Sequence, residues 1–88
     1  MDTLELVKAR LGISSDKRDE YFEAIIDGLI TELREVQNID IDETNPGQLM
    51  FLVDYAVYRY ENKGEHSGLP RHLQWRLHNL FVGVKNDI

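Results

Sequence analysis

The chain has no cysteine, so disulfides and thiolate zinc sites are excluded and nothing suggests secretion. No apolar run approaches the ~20 residues that span a bilayer. The opening Met-Asp-Thr-Leu-Glu-Leu has neither a basic segment nor a long apolar core, so it is not expected to be a signal peptide. No Gly-rich phosphate loop, dinucleotide fingerprint or nucleophile-elbow serine is present. His72 and His78 lie six residues apart, which puts them on different faces of one helix. Metal-binding pairs on a helix want spacings of three or four. These absences leave no catalytic residue, cofactor or metal to assign, and the chain is not expected to be an enzyme.

What is present is a small acidic helical pattern. Eighty-eight residues make one domain, expected over 1–88 with a short tail at 84–88. A chain this short buries only about 60–65% of its extended surface, so stabilisation by self-assembly is plausible. Net charge is −6, unevenly spread. Residues 1–47 hold five Lys/Arg against twelve Asp/Glu, whereas 48–88 hold five against four. The acidic half should repel nucleic acid, and the asymmetry suits head-to-tail contact between copies.

The spacing predicts an all-α fold, a small four-helix bundle with helices near 3–11, 16–37, 46–62 and 70–82 and an extended loop at 38–44. Thr3 is expected to cap the first helix and Gly12 to end it. Leu4, Val7 and Leu11 share a face. The second helix, capped by Ser14 or Ser15, carries a stripe of Phe22, Ile25, Ile26, Leu29, Ile30, Leu33 and Val36. Glu20, Glu23, Asp27, Thr31, Arg34 and Glu35 form its polar side. Ile39 and Ile41 are expected to pin the loop. Asp40, Asp42 and Glu43 lack calcium-loop spacing and read as a solvated acidic stretch. Asn45-Pro46-Gly47-Gln48 opens the third helix as cap, first helical residue and capping-box partner. That helix is apolar on two sides: Leu49, Leu52, Val53, Ala56, Val57 and Tyr60 on one, Phe51, Tyr55 and Tyr58 on the other. Such a helix is central, or a partner buries it. Gly64 is expected to stop it, within a polar loop at 63–68.

The fourth helix should begin at Pro70 and end near Gly83. Leu69, Leu73, Leu77 and Leu80 follow spacings of four, four and three, with Phe81 beside them. Arg71, Trp75, His78 and Asn79 fall on the far side. Trp75 could close the edge of the core or anchor an interface, where Trp, Tyr and Arg dominate. The candidate interface residues are therefore Arg71, Trp75, His78 and Asn79, then Phe51, Tyr55 and Tyr58.

Four strings in order resemble one family: Leu4–Ile13, Asp19–Leu33, Asp54–Asn62 with its Tyr-Ala and Arg-Tyr pairs, and Leu69–Leu80. Together they are similar to the small head–tail connector (adaptor) proteins of long-tailed bacteriophages, in the subgroup from phages and prophages of Gram-positive bacteria. The resemblance implies a structural virion protein at the head–tail junction, made in the host cytoplasm. It implies a ring, dodecameric when assembled, beneath the portal protein. That ring would extend the DNA channel without specific DNA binding and dock the next neck or tail-completion protein, with no membrane partner. The alternative is a helix-turn-helix DNA-binding protein for packaging or regulation. Its recognition helix would offer Arg71, Gln74 and Arg76, against which stand the −6 charge and the lack of a basic stripe.

Overall fold

The computed structural model describes residues 2–62 and 69–86, the side chains of 82–86 excepted. The described residues contain four helices: α1 (Thr3–Leu11), α2 (Asp19–Gln37), α3 (Pro46–Glu61) and α4 (Arg71–Asn86). Among the described residues there is no strand. The four-helix expectation holds, with changes at the ends.

The ends show which local groups satisfy the free N–H and C=O groups of a helix. Asp2, not Thr3, caps α1: its carboxylate accepts from the Glu5 N–H at 2.9 Å. Thr3 is already helical and buried, and its hydroxyl donates to the Glu43 carboxylate in the 38–44 loop. Gly12 ends α1 in the left-handed conformation (φ 71°), as its lack of a Cβ permits. Helix α2 starts at Asp19 rather than 16, and its cap position, Arg18, makes no side-chain capping bond. Ser15 instead accepts from the Lys17 N–H at 3.2 Å within a preceding turn.

Asn38 ends α2 in the left-handed region (φ 59°), which Asn tolerates better than most side chains. The chain then runs without regular structure to Asn45, held by Ile39, which is buried, and Ile41, which is half-buried. Asn45 caps α3 by accepting from the Gln48 N–H at 3.1 Å, with Pro46 at the first turn. Gln48 does not complete a capping box. Its Oε1 accepts from the Asp42 N–H at 2.7 Å and so ties the loop to α3. Asn62 closes α3, its N–H bonded to the Tyr58 carbonyl at 3.0 Å. Gly64 and the 63–68 loop lie outside the described residues. Pro70 stands just before α4, and its carbonyl accepts from Leu73 and Gln74 at 3.0 and 2.9 Å. Gly83 does not end α4, which continues to Asn86. A glycine inside a helix costs about 1 kcal/mol against Ala but does not by itself terminate one.

Helix α3 is the centre. It packs against all three other helices, whereas α4 packs against α3 alone among the described elements. Phe51, Leu52, Val53, Tyr55, Ala56 and Val57 are each 7% exposed or less. Most of both apolar sides predicted for this helix is thus covered from within the chain, with Leu49, Tyr58 and Tyr60 half-buried. Around it lie Val7 of α1, Phe22, Ile26, Leu29 and Leu33 of α2, Ile39, and Leu73 and Leu77 of α4. Each large side chain buried in this way contributes about 1.5–3 kcal/mol of transfer free energy. Tyr21, Phe22 and Tyr60 form a ring cluster between α2 and α3, with Phe22 and Tyr60 centroids 4.9 Å apart. Val36 departs from the stripe expected of α2. It is 72% exposed, because the chain leaves the helix two residues later and turns Ile39 inward instead.

Helix α4 approaches the start of α3 closely. A Cβ built on Gly47 would stand 3.2 Å from Leu80 Cδ2. Gly47→Ala needs only a small shift of that flexible methyl and is expected to be nearly neutral. Gly47→Leu drives further atoms into Leu80 and should cost about 1–3 kcal/mol in urea unfolding.

Candidate protein interface

Helix α4 presents two faces, set by the 3.6-residue repeat. Its inner face puts Leu73 (0% exposed) and Leu77 (6%) on α3, with Leu69, Leu80 and Phe81 packed at the margin. Its outer face carries Arg71, Trp75, His78 and Asn79, all exposed. Trp75 is 69% exposed, so it does not close the edge of the core. The Asn79 side-chain amide donates to the Trp75 carbonyl at 2.9 Å, one turn back along the helix. Beside Trp75, Met50 of α3 is 39% exposed, and the two flank a shallow depression lined also by Gly47, Arg76, Asn79 and Leu80. Exposed Trp and Met within a rim of Arg and Asn match the composition of protein-interface centres.

The other three aromatic candidates fare differently. Phe51 and Tyr55 are fully buried, and Tyr58 is half-buried. In the isolated chain Phe51 and Tyr55 are covered by the chain's own helices and offer no surface. A helical wheel cannot separate an aromatic buried by a partner from one buried by the same chain.

Tyr55 is instead the centre of an internal polar link. Its hydroxyl donates to Glu32 Oε2 of α2 at 2.6 Å and accepts from Arg59 at 3.0 Å. The Arg59 guanidinium also lies 5.4 Å from the Tyr55 ring centroid. Burial, together with the hydrogen bond to Glu32 and its negative charge, pushes the Tyr55 hydroxyl up to about 12.

A second link supports α4 directly. Asp54 of α3 accepts from Arg10 of α1 through one carboxylate oxygen and from Arg76 of α4 through the other. Three helices thus meet on one carboxylate whose side chain is 21% exposed. Arg76 also stands 6.0 Å from the Phe51 ring centroid. Burial works to raise the Asp54 pKa. The hydrogen bonds from Arg76 and Arg10 and their positive charges outweigh it and hold the carboxyl below its ordinary value. Sequence reasoning missed this link. The available signal was a single carboxylate, Asp54, inside the apolar run from Leu49 to Val57.

The loop acids are each engaged. Asp40 pairs with Arg34 at 3.1 Å. Glu43 accepts from Thr3. Asp42 accepts from the Thr44 hydroxyl at 2.5 Å and from its N–H at 2.9 Å, bonds that lower its pKa. Among the described residues no three His, Cys, Asp or Glu side chains are grouped to hold a metal ion. No described helix is long and apolar enough to cross a membrane.

Two of the three side chains that a DNA-reading α4 would use are also occupied. Arg76 is held by Asp54, and the Gln74 side-chain amide donates to the Leu69 carbonyl at 2.7 Å.

These features describe a small all-α four-helix domain. Four ion pairs tie its helices together among the described residues, and a face bearing an exposed tryptophan is left outward. Comparison with known families is specific. A family model for phage gp6-like head-tail connector proteins matches residues 1–88, and the chain belongs to that family. It is a family of structural proteins of the phage particle. No curated protein and no solved structure matches the chain.

The Asp54 link makes stability depend on pH. A carboxyl whose folded pKa lies below its unfolded value of 3.8 adds stability above that value and loses it as pH falls through the folded pKa. Asp54→Asn is expected to cost about 1–2 kcal/mol at pH 7, with two arginines left without their charge partner. In thermal melts from pH 7 to pH 3 the gap between variant and wild type should narrow once the pH drops below 3.8.

Proposed function

We propose that the chain acts as a head–tail connector by forming a ring beneath the portal protein, extending the DNA channel and docking the next neck or tail protein. The observation that carries this reading is the family match over the whole chain. The distribution of surface supports it. A core closed around α3 leaves Trp75 uncovered at 69% exposure, which suits a subunit completed by a neighbour. The negative net charge fits a channel wall along which DNA slides without sticking. The ring is dodecameric in this reading, the chain works by packing and not by catalysis, and it resides at the head–tail junction of the virion. Arg71, Trp75, His78 and Asn79 supply the contact to a neighbouring virion protein.

The test mixes the purified chain with its cognate portal protein and examines the product by electron microscopy. A ring on the portal is expected; neither ring nor co-purification would contradict the reading. Salt-dependent binding to duplex DNA at micromolar protein would favour a DNA-binding protein instead. Trp75→Ala separates interface from core. Its melting should stay within about 0.5 kcal/mol of wild type, as for exposed sites generally, while portal binding is lost. A stability loss of ~3 kcal/mol or more would mark a core Trp.

A further inference from the structure

We propose that the outer face of α4 docks on the outer face of α2 of a second copy, head to tail. The proposal rests on the assembly reading above and specifies which surfaces meet.

Charge supplies the first argument. From Arg71 to Asn86 the sequence contains no carboxylate, and the exposed face displays Arg71 beside Trp75. Arg76 and Arg10 share the single charge of Asp54, so the α4 side keeps a surplus of positive charge. Helix α2 is the reverse. Glu20, Glu23, Asp27 and Glu35 are exposed and make no ion pair among the described residues. Its one outward base, Arg34, is taken by Asp40. An α4 face therefore finds its complement on α2, not on a second α4 face.

Shape supplies the second. Between the start of α1 and α2 runs a groove of about 180 Å³, lined by Leu4 and Ile26 with Asp2, Glu23, Asp27 and Glu43 around them. Half-buried Leu4 gives an indole a small apolar seat over the buried Ile26, and the carboxylates around the groove complement an arginine. Trp75 and Arg71, one turn apart on α4, offer that pair of groups.

Placement supplies the third. Helix α4 meets α3 through Gly47, Phe51 and Asp54, whereas α2 meets it through Tyr55, Arg59 and Tyr60. Among the described elements the backbones of α2 and α4 do not approach one another closely, and only Gln37 at the end of α2 shares a cavity lining with α4. The two outer faces therefore point in different directions, and one molecule can use both at once. Contact between unlike faces repeats from copy to copy and closes into a ring or grows open, where contact between like faces would stop at a dimer.

The absence of native cysteine makes the test clean. Two exposed positions beside the faces, His72 on α4 and Ala24 on α2, are replaced singly and together by Cys and joined with a short bis-maleimide, in the free chain and on the cognate portal. The His72→Cys, Ala24→Cys chain should give a ladder of trimers and larger products. Each single variant should stay monomeric, and a mixture of the two should give dimers only. Added Arg71→Glu should cut the ladder at least about tenfold, and Asp27→Arg in the same chain should restore it. Self-dimerisation of the single His72→Cys chain to the same yield would overturn the proposal, as would a ladder indifferent to Arg71→Glu. Co-purification with portal without any ladder would overturn this pairing and leave the connector reading standing. Loss of both would overturn both.

Discussion

Everything in this molecule depends on α3 being apolar around nearly its whole circumference. A helix of that kind cannot rest on one neighbour. Phe51 and Tyr55 need covering as much as Leu52, Val53 and Ala56 on the other side, and all five are 1% exposed or less. Three helices therefore gather around one, each contributing an apolar stripe. Among the described residues there is no second core cluster to hold so short a chain together. The remaining helices are amphipathic because they have one central surface to bury and solvent, or a neighbour, on the other side.

Polar groups refine this packing and do not drive it. Asp54 is the only carboxylate in the run Leu49–Val57, and it is half-buried where α1 and α4 both reach it. The two arginines offset its desolvation, and the result is a specific orientation for α4. Tyr55 and Glu32 do the same for α2. These links account for most of the charges near the core, and they explain why Arg76, outwardly a candidate for binding, belongs to the fold.

The helices were readable from periodicity because apolar spacing and burial agree closely in α1, α2 and the inner face of α4. The ends were less readable. Asp2 outcompeted Thr3 as a cap because Thr3 is drawn inward to Glu43, and Gln48 abandoned the capping box for Asp42. Glu43 lies 40 residues from Thr3, and Asp42 sits in the irregular loop before α3, so no helix-capping rule finds either partner. At the candidate interface the wheel placed Arg71, Trp75, His78 and Asn79 on one outward face, where the structure has them. It could not decide whether Phe51 and Tyr55 faced a partner or the chain's own helices, since both outcomes demand the same residue types. Met50 escaped notice because its exposure depends on where α4 crosses α3.

The proposed connector role gives the outward face a purpose. The central claim is that the core is complete without Trp75 and that an assembly partner covers it. Trp75 is the single tryptophan, so its fluorescence reports this directly. In the free folded chain its emission should sit close to that of the unfolded chain and be freely quenched by iodide. On the portal the emission should move to shorter wavelength and become protected. A blue, protected emission in the free chain would contradict the account, and so would an emission unchanged when the chain is bound.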